Sequence, residues 1–222
     1  MKLSEARMYT PSHFQTNDLS AMQALMQRHP FALLITPHAG QLHTSHLPFL
    51  LRPEQNQYGL LEAHVARANP HCDALLAGAP SLVVFRGPDA YISPRWYTDP
   101  AHNVPTWNYV VVHAHGQPRV IEDSRRTLEI IGRLTDLHEA YLDNPWRIDE
   151  ALPHAVRLVP HVLAFELEIE RLEGKFKLSQ NRLAGDRAGV MQALGASNSN
   201  ADQEMLAMMA ELYSEDGMPR ID

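Results

Sequence analysis

The apolar positions change period several times along the chain, and each change marks an element. Leu19, Met22, Leu25 and Met26 recur at helical spacing and predict a helix over 18–28, with Asp18 placed to cap it. Residues 31–36 are a short apolar run that suits a buried strand. Pro37-His38-Ala39-Gly40 supplies a turn, and 41–51 reads as the returning strand. A third strand is expected over 58–62. Asn69-Pro70 then opens a short helix that Gly78 ends.

Further on, 81–85 and 90–93 read as two strands joined by a turn at Gly87-Pro88-Asp89. Residues 94–105 are proline-rich and loop-like, and 107–120 is strongly β-forming, with a kink at Gly116 and Pro118. Helical spacing returns after Asp123 in Leu128, Ile131, Leu134 and Leu137 or His138. Phe165, Leu167 and Ile169 alternate with Glu166, Glu168 and Glu170, a strand with one buried and one solvated face. Two helices, 183–194 and 203–212, close the chain around a polar loop. Six or seven short strands with few βαβ alternations point to a mainly β fold, an antiparallel barrel decorated with helices, with a sandwich as the alternative.

Composition narrows the function. The chain has 222 residues, 45% hydrophobic and 20% charged, an ordinary globular balance. No apolar run approaches the roughly 20 residues that span a bilayer, and the first ten residues lack the apolar stretch of a secretory signal. Cys72 is the sole cysteine, so no internal disulfide forms. Together these imply a soluble, cytoplasmic protein. The formal charge of −7 repels nucleic acid unless a local basic stripe offsets it.

Several constellations carry candidate chemistry. Ser45, His46 and Pro48 lie within one strand, where a proline belongs at an edge or where something approaches the backbone. His64, Arg67 and Asn69 stand where a strand hands over to a helix, which fits either an anion site with Arg67 as bidentate donor or a plain Asn69 cap. His113 and His115 share a strand face as metal ligands could, yet no third ligand is evident in sequence, so no metal is assigned. Lys175, Lys177, Gln180, Asn181, Arg182 and Arg187 form the densest basic segment. It reads as a solvated loop or as a phosphate cradle with amides left to read a polar ring edge. Trp96, Tyr97, Trp107 and Tyr109 could stack on a flat ligand or pack. No catalytic group is assigned.

Seven stretches together resemble one family. They are MYTPSHF, SHLPFLL, ARANP, AYISPRWY, VPTWNYVVVHAHG, LTDLHEA and RLEGKFKLSQNR, in this order between residues 8 and 182. They resemble the PaiB-type FMN-binding negative transcriptional regulators. Ala63 stands where that family often has glycine, and Val65 replaces its leucine. The resemblance implies a split β-barrel of the pyridoxamine-phosphate-oxidase type over 1–180 with a helical extension over 181–222. It also implies FMN as cofactor and a homodimer. On that footing Arg67 and Lys177 neutralise the FMN phosphate. Ser45, His46 and Pro48 lie along the isoalloxazine ring or the ribityl chain, and His64 and Asn69 belong with Arg67 to the phosphate-like stretch. Gln180 and Asn181 meet the polar ring edge, and Trp107 packs close to the ring.

The regulatory role meets a physical objection. Between Arg187 and Arg220 there is no lysine or arginine, so the tail helices lack the phosphate contacts that give DNA affinity. Direct operator binding through them is not expected, and any effect on transcription is indirect, through flavin or a partner protein. A flavin-dependent oxidoreductase is the alternative, and a haem-binding split barrel the third reading.

Overall fold

The structure is a computed structural model and describes residues 7–213. The strands are β1 (Gln15–Thr16), β2 (Phe31–His38), β3 (Gln41–Pro48), β4 (Leu50–Arg52), β5 (Leu60–Ala66), β6 (Ser81–Ile92), β7 (Thr106–Ile121) and β8 (Val162–Lys177). The helices are α1 (Leu19–Arg28), α2 (His71–Leu76), α3 (Ser124–Glu139), α4 (Leu152–Leu158), α5 (Ala184–Gly195) and α6 (Asn200–Tyr213). The strands form one antiparallel sheet in the order β3-β2-β6-β7-β8-β5-β4, with β1 paired to β8. The path is open, with β3 at one end and β4 at the other.

Local sequence explains the joints. Ala39 and Gly40 both hold positive φ (49° and 77°) and make a tight two-residue hairpin between β2 and β3. The strand expected over 41–51 is two strands. Pro48 ends β3, and Phe49 turns its N–H away to the Pro30 carbonyl at 2.9 Å, after which β4 begins. Pro48 thus sits at the end of an edge strand, where a missing N–H costs no ladder bond. The strand expected at 58–62 lies at Leu60–Ala66, paired with Val162 to Glu168 of β8.

Gly87-Pro88-Asp89 does not turn. β6 runs through it, because Gly87 and Pro88 are buried within an extended run and Gly87 has no positive φ. β7 likewise runs unbroken to Ile121. Gly116 permits this by letting β7 approach the Glu168 carbonyl of β8, where no side chain would fit. α4 was not foreseen by spacing. The helix expected after Asp123 is α3, and the Asp123 carboxylate caps it by accepting from Arg126 N at 2.7 Å.

The chain resolves into two compact units. Among the described residues, one comprises Arg7, Leu19–Phe85 and His113–Leu172. Its core centres on Phe49, whose ring meets Phe85 and Phe165 edge-on at 5.9 and 6.1 Å, among Leu34, Leu61 and Leu167. The other comprises Met8–Asp18, Arg86–Val112 and, of the described residues, 173–213. In it α5 and α6 pack together and bury Val190, Leu194, Met205 and Met209.

Candidate functional site

In the first unit, the β3 residues point as strand alternation requires. Ser45 faces inward and is buried, while His46 is exposed and stacks on Phe31 at 6.2 Å. Ser45 is joined to a histidine that spacing did not single out. His71, the first residue of α2, is 1% exposed. Its Nδ1 lies 2.9 Å from Ser45 Oγ and its Nε2 lies 2.8 Å from Thr36 Oγ1. Thr36 Oγ1 continues to Ser81 Oγ at 2.7 Å, and Ser81 Oγ donates to the Ala79 carbonyl at 2.9 Å. Burial, with a smaller contribution from His43, pushes the His71 pKa down to about 4.

Asn69 closes the network. Its Oδ1 accepts from His71 N at 3.0 Å and its Nδ2 donates to Ser45 Oγ at 3.0 Å. It therefore caps the start of α2 and also supports Ser45. The helix has six residues, and its first N–H groups already bond to Asn69 and Pro70. The anion-binding capacity of this stretch thus rests on the exposed Arg67 side chain. His64, on β5, keeps Nδ1 buried without a hydrogen-bond partner among the described residues. Burial also lowers its pKa.

In the second unit, the basic segment is built strand and turn, not loose loop. Lys175 and Lys177 occupy the end of β8. Lys175 Nζ donates to the Tyr9 carbonyl at 3.0 Å and lies 5.5 and 5.2 Å from the Tyr9 and Tyr109 ring centres. Lys177 Nζ donates to Thr106 Oγ1 and to the Trp107 carbonyl and lies 5.7 Å from the Phe14 ring centre. Burial lowers the Lys177 pKa, and the neighbouring charges of Lys175 and Arg182 lower it further. Arg182 packs over the Tyr97 ring at 4.4 Å and donates to Asn103 Oδ1 at 2.6 Å.

The turn after β8 holds itself. Gln180 Oε1 accepts from Leu178 N at 2.7 Å and its Nε2 donates to the Phe176 carbonyl, so both amide atoms shape the turn. Ser179, at φ 69°, bonds to the buried Asn108. Asn181 is exposed. Trp107 is 51% exposed, edge-on to Tyr91 at 5.9 Å, so its ring offers an open face.

Sequence reasoning missed His71, Thr36 and Asn108. The available signal was a histidine directly after the Asn69-Pro70 helix start, a position that turns inward in a short helix beside the sheet.

FMN has a phosphate, a polar chain and a flat ring, and each unit taken by itself offers groups of a suitable kind: ammonium groups with neutral partners in the second, a buried imidazole nitrogen and a buried hydroxyl in the first. The fold defines a class. A solved FAD- and heme-binding protein from Mycobacterium smegmatis has a TM-score of 0.55 at 19% identity, over 74% of this chain and 73% of its own. The flavocytochrome Anf3 from Azotobacter vinelandii has a TM-score of 0.55 at 14% identity, over 79% and 76%. These likenesses show the fold, an antiparallel split β-barrel decorated with helices.

Sequence narrows the class to a family. The family model "Putative FMN-binding domain" matches residues 8–171. The "Protease synthase and sporulation protein PAI 2" of Bacillus subtilis (strain 168) is 31% identical over 210 residues, which are 94% of this chain and 97% of that protein. The chain belongs to this PaiB-type, FMN-binding family, and FMN is its cofactor. No helix among the described residues is long and apolar enough to cross a membrane.

Proposed function

We infer that this chain is an FMN-binding regulator that influences transcription indirectly, through its flavin or a partner protein. The observation that carries the flavin reading is the state of Lys177. Its ammonium is partly desolvated, flanked by two more cations, and met by neutral oxygens and a ring. A cation so placed is stabilised by an anion, and the FMN phosphate supplies one. Arg67, exposed just ahead of α2, is a phosphate-binding candidate that rests on the family resemblance alone. Ser45, Pro48, His64 and Asn69 offer hydroxyl, backbone and ring groups to the flavin, with His46 on the opposite strand face at the same edge. Trp107 offers a stacking surface, Asn181 a free amide, and Gln180 holds the turn that presents it.

Bound FMN supplies one- and two-electron redox chemistry, and the protein supplies its binding and orientation. The indirect mode rests on charge. α6 carries no lysine or arginine and α5 carries Arg187 alone, against Asp186, Asp202, Glu204 and Glu211. A homodimer is part of this proposal.

The test is a titration of the dialysed protein with FMN, followed by flavin fluorescence. Saturation at one flavin per chain is expected, and Lys177→Gln should weaken binding by about tenfold. Absence of saturable binding overturns the flavin reading, and a Soret band on adding haemin instead would favour haem. A DNA mobility shift at low salt that fades as salt rises would overturn the indirect mode. Steady turnover of a nicotinamide donor by the loaded protein would put the oxidoreductase reading first. Light scattering reads the dimer.

A further inference from the structure

We propose that His71 is a positioning residue that fixes the polarity of the binding surface at Ser45. It takes the only proton of the Ser45 hydroxyl, so Ser45 meets a ligand solely as a hydrogen-bond acceptor. The proposal rests on the reading that Ser45 lies against FMN.

The direction of each bond follows by elimination. Ser81 donates its one proton to the Ala79 carbonyl, so it accepts from Thr36. Thr36 has then used its own proton and accepts from His71 Nε2–H. A buried, neutral imidazole with its proton on Nε2 leaves Nδ1 as acceptor, and Ser45 Oγ–H donates to it. Asn69 cannot reverse this, because its Oδ1 is held by His71 N and its Nδ2 therefore points a donor at Ser45. One lone pair of Ser45 remains, and Ser45 keeps 8% of its surface exposed.

A surface group of this kind selects by polarity. It accepts from an N–H or O–H, which in FMN means the ring imide or a ribityl hydroxyl. It turns away carbonyl and phosphate oxygens, which have no proton to give. Ser45 is thereby assigned to the ring or the chain of the flavin and excluded from its phosphate.

The experiment compares FMN dissociation constants of the full chain and four variants. Ser45→Ala should bind about tenfold more weakly. His71→Phe keeps a ring of similar size but no acceptor, and should lose about as much. His71→Asn places an acceptor where Nδ1 stands and should stay within about threefold of the wild type. In the Ser45→Ala background, His71→Phe should cost nothing further, since the interaction is already gone. Binding by His71→Phe equal to wild type, losses that add, or better binding by His71→Phe than by His71→Asn would each overturn the proposal, the last by showing that ring volume alone matters. Nitrogen-15 NMR of the unmodified protein reads the tautomer without any substitution. A proton on Nδ1 near pH 7 overturns the proposal even where a variant fails to fold. Failure of the underlying reading is distinct: the wild type would not bind FMN, or Ser45→Ala would bind it unchanged.

Discussion

The Asp186 carboxylate accepts two hydrogen bonds from one residue, from Thr98 N at 2.8 Å and from Thr98 Oγ1 at 2.7 Å. They tie the first turn of α5 to the proline-rich 94–105 segment, and Gly189, one turn further on, lies directly under the Trp96 carbonyl. The Thr98 backbone bond, then its hydroxyl, hold the Asp186 pKa below the ordinary carboxylate value. A carboxylate with a depressed folded pKa adds stability above its unfolded pKa, near 4, and that stability is lost as pH falls through the folded value. Asp186→Asn keeps an acceptor and loses the charge. It should cost about 1 kcal/mol at pH 7, and its gap from wild type should close below about pH 4. Urea denaturation at pH 7 and pH 3 checks this, and a gap independent of pH would refute it.

A second charged cluster is more deeply buried. Glu62 is fully buried, and Arg133 grips it through two nitrogens at 2.7 and 3.1 Å, while Arg126 Nη2 bridges Glu62 and Glu166 at 2.9 Å each. These bonds fasten α3 across β5 and β8. Removing Arg133 leaves the buried Glu62 carboxylate with Arg126 alone, itself shared with Glu166, and an under-compensated buried charge costs more than removing the pair. Arg133→Leu should therefore destabilise by about 3 kcal/mol, and Glu62→Leu in combination with it should restore part of the loss. Chemical denaturation of the two single variants and the double variant gives the comparison. A double variant less stable than Arg133→Leu would contradict the argument.

Those two clusters also show where sequence is legible. The alternation of Phe165, Leu167 and Ile169 with three glutamates predicts a one-sided strand, and β8 alternates in that way only from Leu167 to Glu170; residues 163–167 are buried on both faces, Glu166 included. The alternation could not announce that Glu166 faces arginines, since Arg119 and Arg126 arrive from β7 and α3. The helical spacing after Asp123 is a local signal and α3 forms there, but its buried positions are Thr127, Ile130 and Leu134, with Leu128 and Ile131 half-buried. Gly87-Pro88-Asp89 was a local signal too, but pairing and burial along β6 overrode its turn preference. The candidate site divides in the same way. Asn69, Arg67 and Lys177 stand out by residue type, whereas His71 acquires its role from Thr36, Ser45 and Ser81, which are 35, 26 and 10 positions away.

Gly116 is a position where sequence suggested a kink and the structure shows a close approach. A Cβ built there would lie 2.1 Å from the Glu168 carbonyl oxygen and 2.7 Å from Leu167 Cδ2. The first contact is with backbone, so it cannot be relieved by turning a side chain. Gly116→Ala should force β7 and β8 apart and destabilise by about 3 kcal/mol or more. Gly132→Ala, whose Cβ would meet only Ile148 Cγ2 at 3.4 Å, serves as the control and should be near neutral. Thermal melts of both variants decide, and equal melting temperatures would refute the close approach.

Folding stability should also report the buried imidazole of His71. Its pKa falls from about 6.5 in the unfolded chain to about 4 in the folded one. Between those values the unfolded state binds a proton that the folded state refuses, so acid favours unfolding. Stability contributed by neutral His71 is therefore complete above about pH 6.5, declines toward pH 4, and changes no further below it. His64, whose pKa burial also lowers, acts in the same direction. A shift of this size corresponds to about 3 kcal/mol for His71 over the whole window. His71→Asn, which does not titrate, should lose correspondingly less stability between pH 7.5 and pH 5 than the wild type does. Urea denaturation midpoints at those two pH values measure the difference, and parallel losses in the two proteins would show that His71 is not the group that titrates.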